Sequence, residues 1–389
     1  MKSIYLSIII VLVFSACQEK KVEKLEHISK ANLQKIEFKE LVGFKEDNLN
    51  LALEVFQKSC KSRRVNKELK NVCKKAIKAT NGKLFFTTHF IAYKLLNKKN
   101  SDQGLITGYY EPILQGSFTK TNIYKYPIYK TPKDLISVRL NSLYPKLKNY
   151  TLRGKVVGNK LVPYETREEL EKQKDKLEAL LYVDSKVDRF FLEIQGSGKV
   201  RLENNEIVNV AYSNQNGRKY FAVGRQLIKD GSIKRKDMSL QAIKKWCDEN
   251  PSKVDKLFNL NESTVFFTLS KKSATGSLGV PLVAKRNIAV DKKYIPLGFP
   301  VFLNTKNPID NSDINILVTA ADTGGAIKGD IRADLFWGNT KEAKLGAGKM
   351  AQRGLLTILI PKNSTKYKGL FDYNVPINSN HLIQYSYSK

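Results

Sequence analysis

The stretch Val318-Thr-Ala-Ala-Asp-Thr-Gly-Gly-Ala-Ile-Lys-Gly-Asp-Ile-Arg-Ala-Asp-Leu-Phe-Trp-Gly338 places two carboxylates, Asp322 and Asp334, on either side of a glycine-rich turn containing Thr323, Gly324, Gly325 and Lys328. Ile316, Val318 and Ala320 alternate into the turn on one face with Asp322, the pattern of a half-buried strand. Beyond the turn Ile331, Ala333, Leu335 and Trp337 form an apolar face, so Arg332, Asp334 and Phe336 point the other way. This predicts an Asp334 displayed toward a cleft or solvent. A third acid, Asp291, ends the upstream segment Arg286-Asn-Ile-Ala-Val-Asp-Lys-Lys-Tyr-Ile-Pro-Leu-Gly298 just before a turn.

The chain has 389 residues, enough for two domains, and 42% of them are hydrophobic, enough to build two cores. Its formal charge is +30, from 67 basic and 37 acidic residues, which predicts attraction to polyanions. The lysines are spread along the chain with no basic helix and no RNA-binding aromatic motif, so nucleic acid is not the expected partner. Other polyanions, such as lipid head groups, fit better, and a general lysine bias of the source explains the excess equally well.

Lys2 opens a short basic region, Ile4 to Phe14 is an apolar run too short to cross a bilayer, and Phe14-Ser-Ala-Cys17 follows. This reads as an export signal ending in a lipobox, with Cys17 as the lipidated residue and Gln18 as a residue compatible with outer-membrane sorting. An ordinary secretory peptide with an incidental cysteine is the competing reading. Residues 18–44 are expected to be a tether. Cys60 and Cys73 fall on neighbouring predicted helices, Leu49 to Ser62 and Asn66 to Ala79, and in an oxidising compartment would bridge if their Cα atoms come within about 7 Å. With three histidines, no His-Glu-x-x-His and no Cys-x-x-Cys, neither a zinc site nor histidine catalysis is expected.

A third helix is predicted over Lys83 to Asn97, from Phe86, Phe90, Tyr93 and Leu96. Short strands begin at Leu105. A helix is expected over Arg167 to Leu181 behind a Thr166/Glu169 capping box. Strands are then expected over Arg189 to Gln195 and over Val200 to Tyr212, the latter broken by an Asn204-Asn205 turn. Helices Ala222 to Lys229, Ser239 to Glu249 and Ser252 to Phe258 precede further strands from Thr264. Periodicity alone supports a mixed, mainly β chain with helices (α+β).

Asp291, Asp322 and Asp334 resemble, in order, the three aspartates of the membrane-bound lytic murein transglycosylase A family. Ile106-Thr-Gly-Tyr-Tyr-Glu-Pro112, Tyr126-Pro-Ile-Tyr129, Phe190-Phe-Leu-Glu-Ile-Gln-Gly-Ser-Gly198, Asn216-Gly-Arg-Lys-Tyr220 and Val223-Gly-Arg-Gln-Leu-Ile228 extend the resemblance over roughly residues 45 to 362. It departs at Asn339-Thr340, where the family often has a second glycine, and resumes at Gly346-Ala-Gly-Lys-Met350.

The resemblance implies a double-psi β-barrel from residues 45–111 and 269–389, a second β-rich domain inserted at 112–268, and a glycan groove between them. It implies cleavage of peptidoglycan between N-acetylmuramic acid and N-acetylglucosamine by Asp334, first as acid and then as base, with no cofactor or metal. The products would carry 1,6-anhydromuramic ends. Asp322 and Asp291 would support Asp334 and, as neighbouring carboxylates, raise its pKa. An outer-membrane lipoprotein facing the periplasm follows, and partners in larger wall-remodelling complexes are left open.

The residues leave alternatives. Asp322 to Gly325 also reads as an Asx-turn closing a hairpin. Asp334 also reads as a surface carboxylate paired with Arg332 or Lys328. Lys328 either contacts substrate, orients a carboxylate or is solvated. Gln195, Gly196, Ser197 and Gly198 form a polar, close-approaching set suited to sugars, or a turn after a strand. Tyr109 and Tyr110 stack on sugar rings, or one is core. Glu111 and Glu193 compete for the role of acid, Glu193 facing the groove if residues 189–195 are a strand. Water-using hydrolysis and non-catalytic wall binding are the rival functions.

Overall fold

The computed structural model describes residues 32–147, 151–173 and 176–364; the signal segment and Cys17 lie outside them. In the N-terminal part, β1 (Asn32–Ile36) precedes α1 (Leu49–Cys60), α2 (Lys70–Ala76), α3 (Gly82–His89) and β2 (Phe90–Leu96), and β3 (Gly104–Tyr109) follows. The middle of the chain gives β4 (Ile113–Ser117), β5 (Tyr126–Tyr129), β6 (Ile136–Val138), β7 (Leu152–Val157), β8 (Lys160–Pro163), α4 (Arg167–Lys172), β9 (Ala179–Val183) and α5 (Lys186–Gln195). It continues through β10 (Ser197–Leu202), β11 (Ile207–Gln215), α6 (Val223–Lys229), α7 (Leu240–Glu249), α8 (Val254–Asn259) and β12 (Val265–Ser270). The C-terminal part is β13 (Asn287–Val290), β14 (Pro300–Lys306), β15 (Asp313–Asp322), β16 (Arg332–Phe336), α9 (Lys341–Lys349) and β17 (Ala351–Pro361).

One sheet runs β1-β2-β17-β14-β15-β13-β16-β3, and β17 also pairs with β3, so six of its strands close into a barrel. Closure satisfies both edges of every barrel strand. Two crossings define the topology. Consecutive strands β15 and β16 do not pair with each other: β13 lies between them, parallel to β15 and antiparallel to β16. Likewise β3 lies between β16 and β17, parallel to the first and antiparallel to the second. Each is a psi motif, and together they make the double-psi barrel. The Asp322–Gly325 segment is thus a crossover, not the closure of a hairpin.

The barrel core joins strand residues such as Ile288, Val301, Phe302, Ala320, Leu335 and Ile358 to the apolar faces of α1, α2 and α3. Asn48 caps α1, accepting from the Leu51 N–H at 3.0 Å, and Leu49, Ala52, Leu53 and Phe56 recur every three or four residues on the buried side. The buried Arg286–Asp47 pair, at 2.7 Å, fastens this helical layer to the barrel; Asp47 also accepts the Leu317 N–H at 2.7 Å. Cys60 and Cys73 are disulfide-bonded with Cα atoms 5.4 Å apart.

The remaining strands form a six-stranded sheet, β12-β11-β10-β4-β9-β5, and a three-stranded one, β6-β7-β8. Helices α5 to α8 gather on their own apolar cluster around Phe190, Leu227, Cys247 and Phe258.

Four expectations need correction. The tether cannot extend to residue 44, because β1 pairs with β2 and both Leu41 and Phe44 are core residues. The helix expected over 83–97 stops at His89, and 90–96 is β2, held between β1 and β17; its apolar residues fit helical spacing, but pairing on both edges decides. The Thr166/Glu169 box forms as expected, yet α4 ends at Lys172 and 179–183 is β9. Residues 189–195 are helix α5, not strand. Ser185 accepts from the Asp188 N–H at 3.1 Å and Gly196 ends the helix at φ +77°, a pair of caps legible in the sequence.

That last change removes Glu193 from the groove. On the helix it is buried in a two-pronged pair with Arg167, at 3.2 and 2.8 Å, and accepts the Val265 N–H at 3.2 Å. Arg167 lies 4.8 Å from the Phe190 ring centroid, so the pair is a structural buttress of the inserted sheet.

Because the Cys60–Cys73 bridge closes a short loop between two helices, replacing both cysteines by alanine should cost about 2–4 kcal/mol. Chemical denaturation would show a lower midpoint, and an unchanged midpoint would mean that packing alone holds α1 to α2.

Candidate active site

Asp334 is the central residue of β16, opposite Ala289 of β13 on one side and Thr107 of β3 on the other. Its Oδ1 accepts from the Thr107 hydroxyl at 2.6 Å, and Nη2 of Arg332 donates to that same hydroxyl oxygen at 2.8 Å. The carboxyl is only partly open to solvent. Burial pushes its pKa up to about 6; the Thr107 bond and the Arg332 charge oppose this, and the Asp322 charge adds a smaller upward push. Desolvation, rather than a neighbouring carboxylate, is therefore the main cause of the raised pKa.

Asp322, at the end of β15, is saturated with donors. Its Oδ1 accepts from Ser277 N at 2.8 Å, Ser277 Oγ at 2.9 Å and Thr323 N at 2.8 Å, and its Oδ2 accepts from the Tyr109 hydroxyl at 3.2 Å. Burial raises its pKa as well, against those donors. Asp291 is buried at the foot of the same loop, taking the N–H groups of Lys293 and Gly329, each at 3.1 Å. Two of the three aspartates are thus spent on loop architecture. Asp334 alone keeps an oxygen, Oδ2, without a protein partner among the described residues.

A cleft of about 340 Å³ opens between the α9 side of the barrel and helices α5 to α7; Asp334 is not among its lining residues and is tied to it through Tyr220 and the strand neighbour Gly108. Tyr110, Gln195, Tyr220, Arg225, Met238 and Lys349 are among its walls, and Gly108, next to Thr107, lines it too. Tyr220 lies close enough to Asp334 for that charge to help raise its phenol pKa, after burial and against Arg225.

The other expected residues separate. Gln195 lines the cleft, its Oε1 accepting the Tyr110 N–H at 3.1 Å. Gly196 caps α5 and Ser197 begins β10. A Cβ on Gly198 would stand 2.5 Å from Leu192, so that glycine serves helix–strand packing. Tyr110 is buried in the cleft wall, and Tyr109 turns inward to Asp322 and Phe336 rather than offering a free ring, its pKa well raised by burial. Thr323 shares a 2.7 Å hydroxyl contact with Ser277, Gly324 is half-buried beside it, and Gly325 and Lys328 are exposed on the crossover. Lys328 pairs with no carboxylate among the described residues.

Glu111 is buried and takes the Ala274 N–H at 2.8 Å and the Asn339 amide at 3.1 Å, with Lys199 3.5 Å away. The departure at Asn339-Thr340 is thereby accounted for: Asn339 holds Glu111, and Thr340 caps α9 through the Ala343 N–H at 3.1 Å. Thr107, Ser277 and Tyr220 were not singled out from the sequence. Thr107 and Tyr220 lie inside matched motifs, but nothing in the linear order ties them to Asp334, and Ser277 had no signal.

Residues 105–268 match the profile described as MltA specific insert domain, and 286–360 that described as 3D domain. A membrane-bound lytic murein transglycosylase A homolog of Buchnera aphidicola subsp. Schizaphis graminum is 35% identical over 279 residues, 68% of this chain and 69% of that protein. The Escherichia coli K12 membrane-bound lytic murein transglycosylase A is 30% identical over 276 residues, 69% and 68% of the two chains. The MltA crystal structure from Neisseria gonorrhoeae superposes with a TM-score of 0.75 at 29% identity, covering 86% of this chain and 94% of its own. The E. coli MltA structure with bound chitohexaose gives 0.63 at 25% identity, covering 80% and 89%. With both family domains matched in the expected order and relatives 30–35% identical over about two thirds of each chain, the chain belongs to the membrane-bound lytic murein transglycosylase A family.

Proposed function

We propose that this lytic murein transglycosylase cleaves the β-1,4 bond between N-acetylmuramic acid and N-acetylglucosamine of peptidoglycan with Asp334 as its single catalytic acid and base. The observation that carries this reading is the unequal treatment of the carboxylates. Burial pushes the Asp334 pKa up to about 6 and its Oδ2 has no protein partner among the described residues, while Asp322, Asp291 and Glu111 are committed to structural hydrogen bonds. A conventional glycosidase needs a second carboxylate as nucleophile or as base for water. With none of these three carboxylates free, a nucleophile supplied by the substrate itself fits the site best.

Asp334, protonated, gives its proton to the glycosidic oxygen as the C1–O bond breaks. The resulting carboxylate then takes the proton of the C6 hydroxyl on the same muramic residue, whose oxygen closes on C1 as a 1,6-anhydro ring. Tethering the nucleophile supplies up to about 7–11 kcal/mol that a bimolecular attack would lack. A relative that binds chitohexaose supports reading the cleft as the glycan groove. Sheet membership supports reading the parts on either side of it as separate domains: β1 to β3 with β13 to β17, and β4 to β12 inserted between them.

Lipidation at Cys17 would place the enzyme on the outer membrane facing the periplasm. Since β1 starts at Asn32, residues 18–31 would be the link, reaching at most about 50 Å when extended. Among the described residues no helix is long and apolar enough to cross a membrane.

Asp334→Asn should lower murein-lytic activity at least about 10³-fold, whereas Glu193→Gln should destabilise the fold but leave the turnover of folded enzyme within a few-fold. Near-normal turnover by the Asn variant would reject Asp334. Because the acid must be protonated, wild-type kcat/KM should fall as pH rises through about 6. Digestion of purified murein in ¹⁸O-labelled water should give unlabelled anhydromuramic ends by mass spectrometry; label at C1 would establish hydrolysis instead. Membrane fractionation should place the native protein with outer membranes and lose Cys17→Ala from them, and a native protein free in the periplasm would contradict the anchor.

A further inference from the structure

The two oxygens of Asp334 differ in a way that the acid–base assignment does not use. Oδ1 is bonded to the Thr107 hydroxyl, and Oδ2 has no partner among the described residues. The Thr107 oxygen accepts from Nη2 of Arg332. A guanidinium is always a donor, so one lone pair of Thr107 Oγ1 is permanently occupied. The hydroxyl carries a single proton, and the Asp334 Oδ1 is its one acceptor among the described residues. Arg332 is not free to swing away: its Nη1 donates to the carbonyls of Leu105, at 3.3 Å, and Ala333. A proton on Oδ1 would have to turn the Thr107 hydrogen away from that acceptor and leave it unbonded in a partly buried site.

We propose that Arg332 and Thr107 form a positioning pair that keeps the transferable proton of Asp334 on Oδ2. The proposal rests on Asp334 being the acid. Oδ2–H passes its proton to the glycosidic oxygen, which receives the electron pair of the breaking C1–O bond. The lone pair left on Oδ2 then takes the C6-hydroxyl proton as O6 bonds to C1. One oxygen does both transfers, and Oδ1 stays bonded to Thr107 throughout. No water is consumed and the proton count of the enzyme is restored.

The charged and titratable neighbours of Asp334 are Arg332 on its own strand, Tyr109 on β3, Asp322 at the end of β15 and Tyr220 from the inserted part. On the β13 side the Asp291 carboxylate is taken up by the Lys293 and Gly329 N–H groups. Of these, only the Thr107 bond and the Arg332 charge favour the ionised form of Asp334. Loss of either member of the pair therefore shifts the titration upward.

The test compares full-length wild type with Thr107→Val, Thr107→Ser, Arg332→Met and Asp334→Asn, using pH profiles on purified murein and carboxyl-¹³C NMR titration of Asp334. Valine matches threonine in shape and removes only the hydroxyl. Thr107→Val should raise both the alkaline limb and the Asp334 titration by about one pH unit. It should also lower kcat about tenfold with KM within about twofold, and serine should restore all three. Arg332→Met should move the titration the same way, and provides the reading if the valine variant does not fold. Lower kcat with an unmoved titration, or a serine variant that behaves like valine, would overturn the pair. An active Asp334→Asn enzyme would instead overturn the acid assignment.

Discussion

Everything at this site depends on β3 being threaded between β16 and β17. Residues 104–109 come more than two hundred positions before their partners, yet their parallel register with β16 sets Thr107 against Asp334 and Tyr109 against Phe336. The opposite edge of β3 pairs with β17, so the strand has no freedom to slide. A one-residue slip would turn Thr107 to the other face and remove the hydroxyl from Asp334. Closure of the barrel and geometry of the acid are therefore one constraint.

The second psi crossing does related work for the other carboxylates. Because β13 separates β15 from β16, the connecting segment has to arch over a strand end, and its backbone N–H groups find no ladder partner there. Asp322 and Asp291 supply acceptors for those groups and for the Ser277 loop. Their negative charge is spread over several donors, which tolerates burial. Asp334 has one protein donor to its carboxyl, and a carboxyl removed from water with one donor holds its proton more tightly. The same residue type is thus bound into the framework in two places and left with one donor and one unpartnered oxygen in the third.

The inserted part answers to a different balance. Arg167 and Glu193 are both buried, and such pairs cost desolvation that their attraction repays only with good geometry and further bonds. Here the extra bonds are present: Arg167 also donates to the carbonyls of Asn261, at 2.9 Å, and Ser263, and Glu193 accepts from Val265. The pair ties α4 and α5 to the start of β12, the strand that leads back to the barrel. It thereby helps hold α5, whose last residue, Gln195, accepts the Tyr110 N–H in the cleft lining.

The sequence by itself determined much of this. The three aspartates, the alternation around them, the Thr166/Glu169 box, the Asn204-Asn205 turn and the Cys60–Cys73 pair were readable because each is a local pattern or a matter of residue type at fixed spacing. It misassigned 90–96 and 189–195, where apolar residues satisfy helical and strand periods alike. There the tertiary structure decides, by offering β2 two partner strands and by giving α5 its caps and an apolar cluster to cover. It also could not reveal that Thr107 and Tyr220 join Arg332 near Asp334, or that Glu193 is sequestered by Arg167. Those facts depend on strand register and chain packing, which bring together residues from 26 positions apart, as for Arg167 and Glu193, to 227, as for Thr107 and Asp334. Residue chemistry is written along the chain, but desolvation and hydrogen-bond count exist only once the chain has closed around the residue.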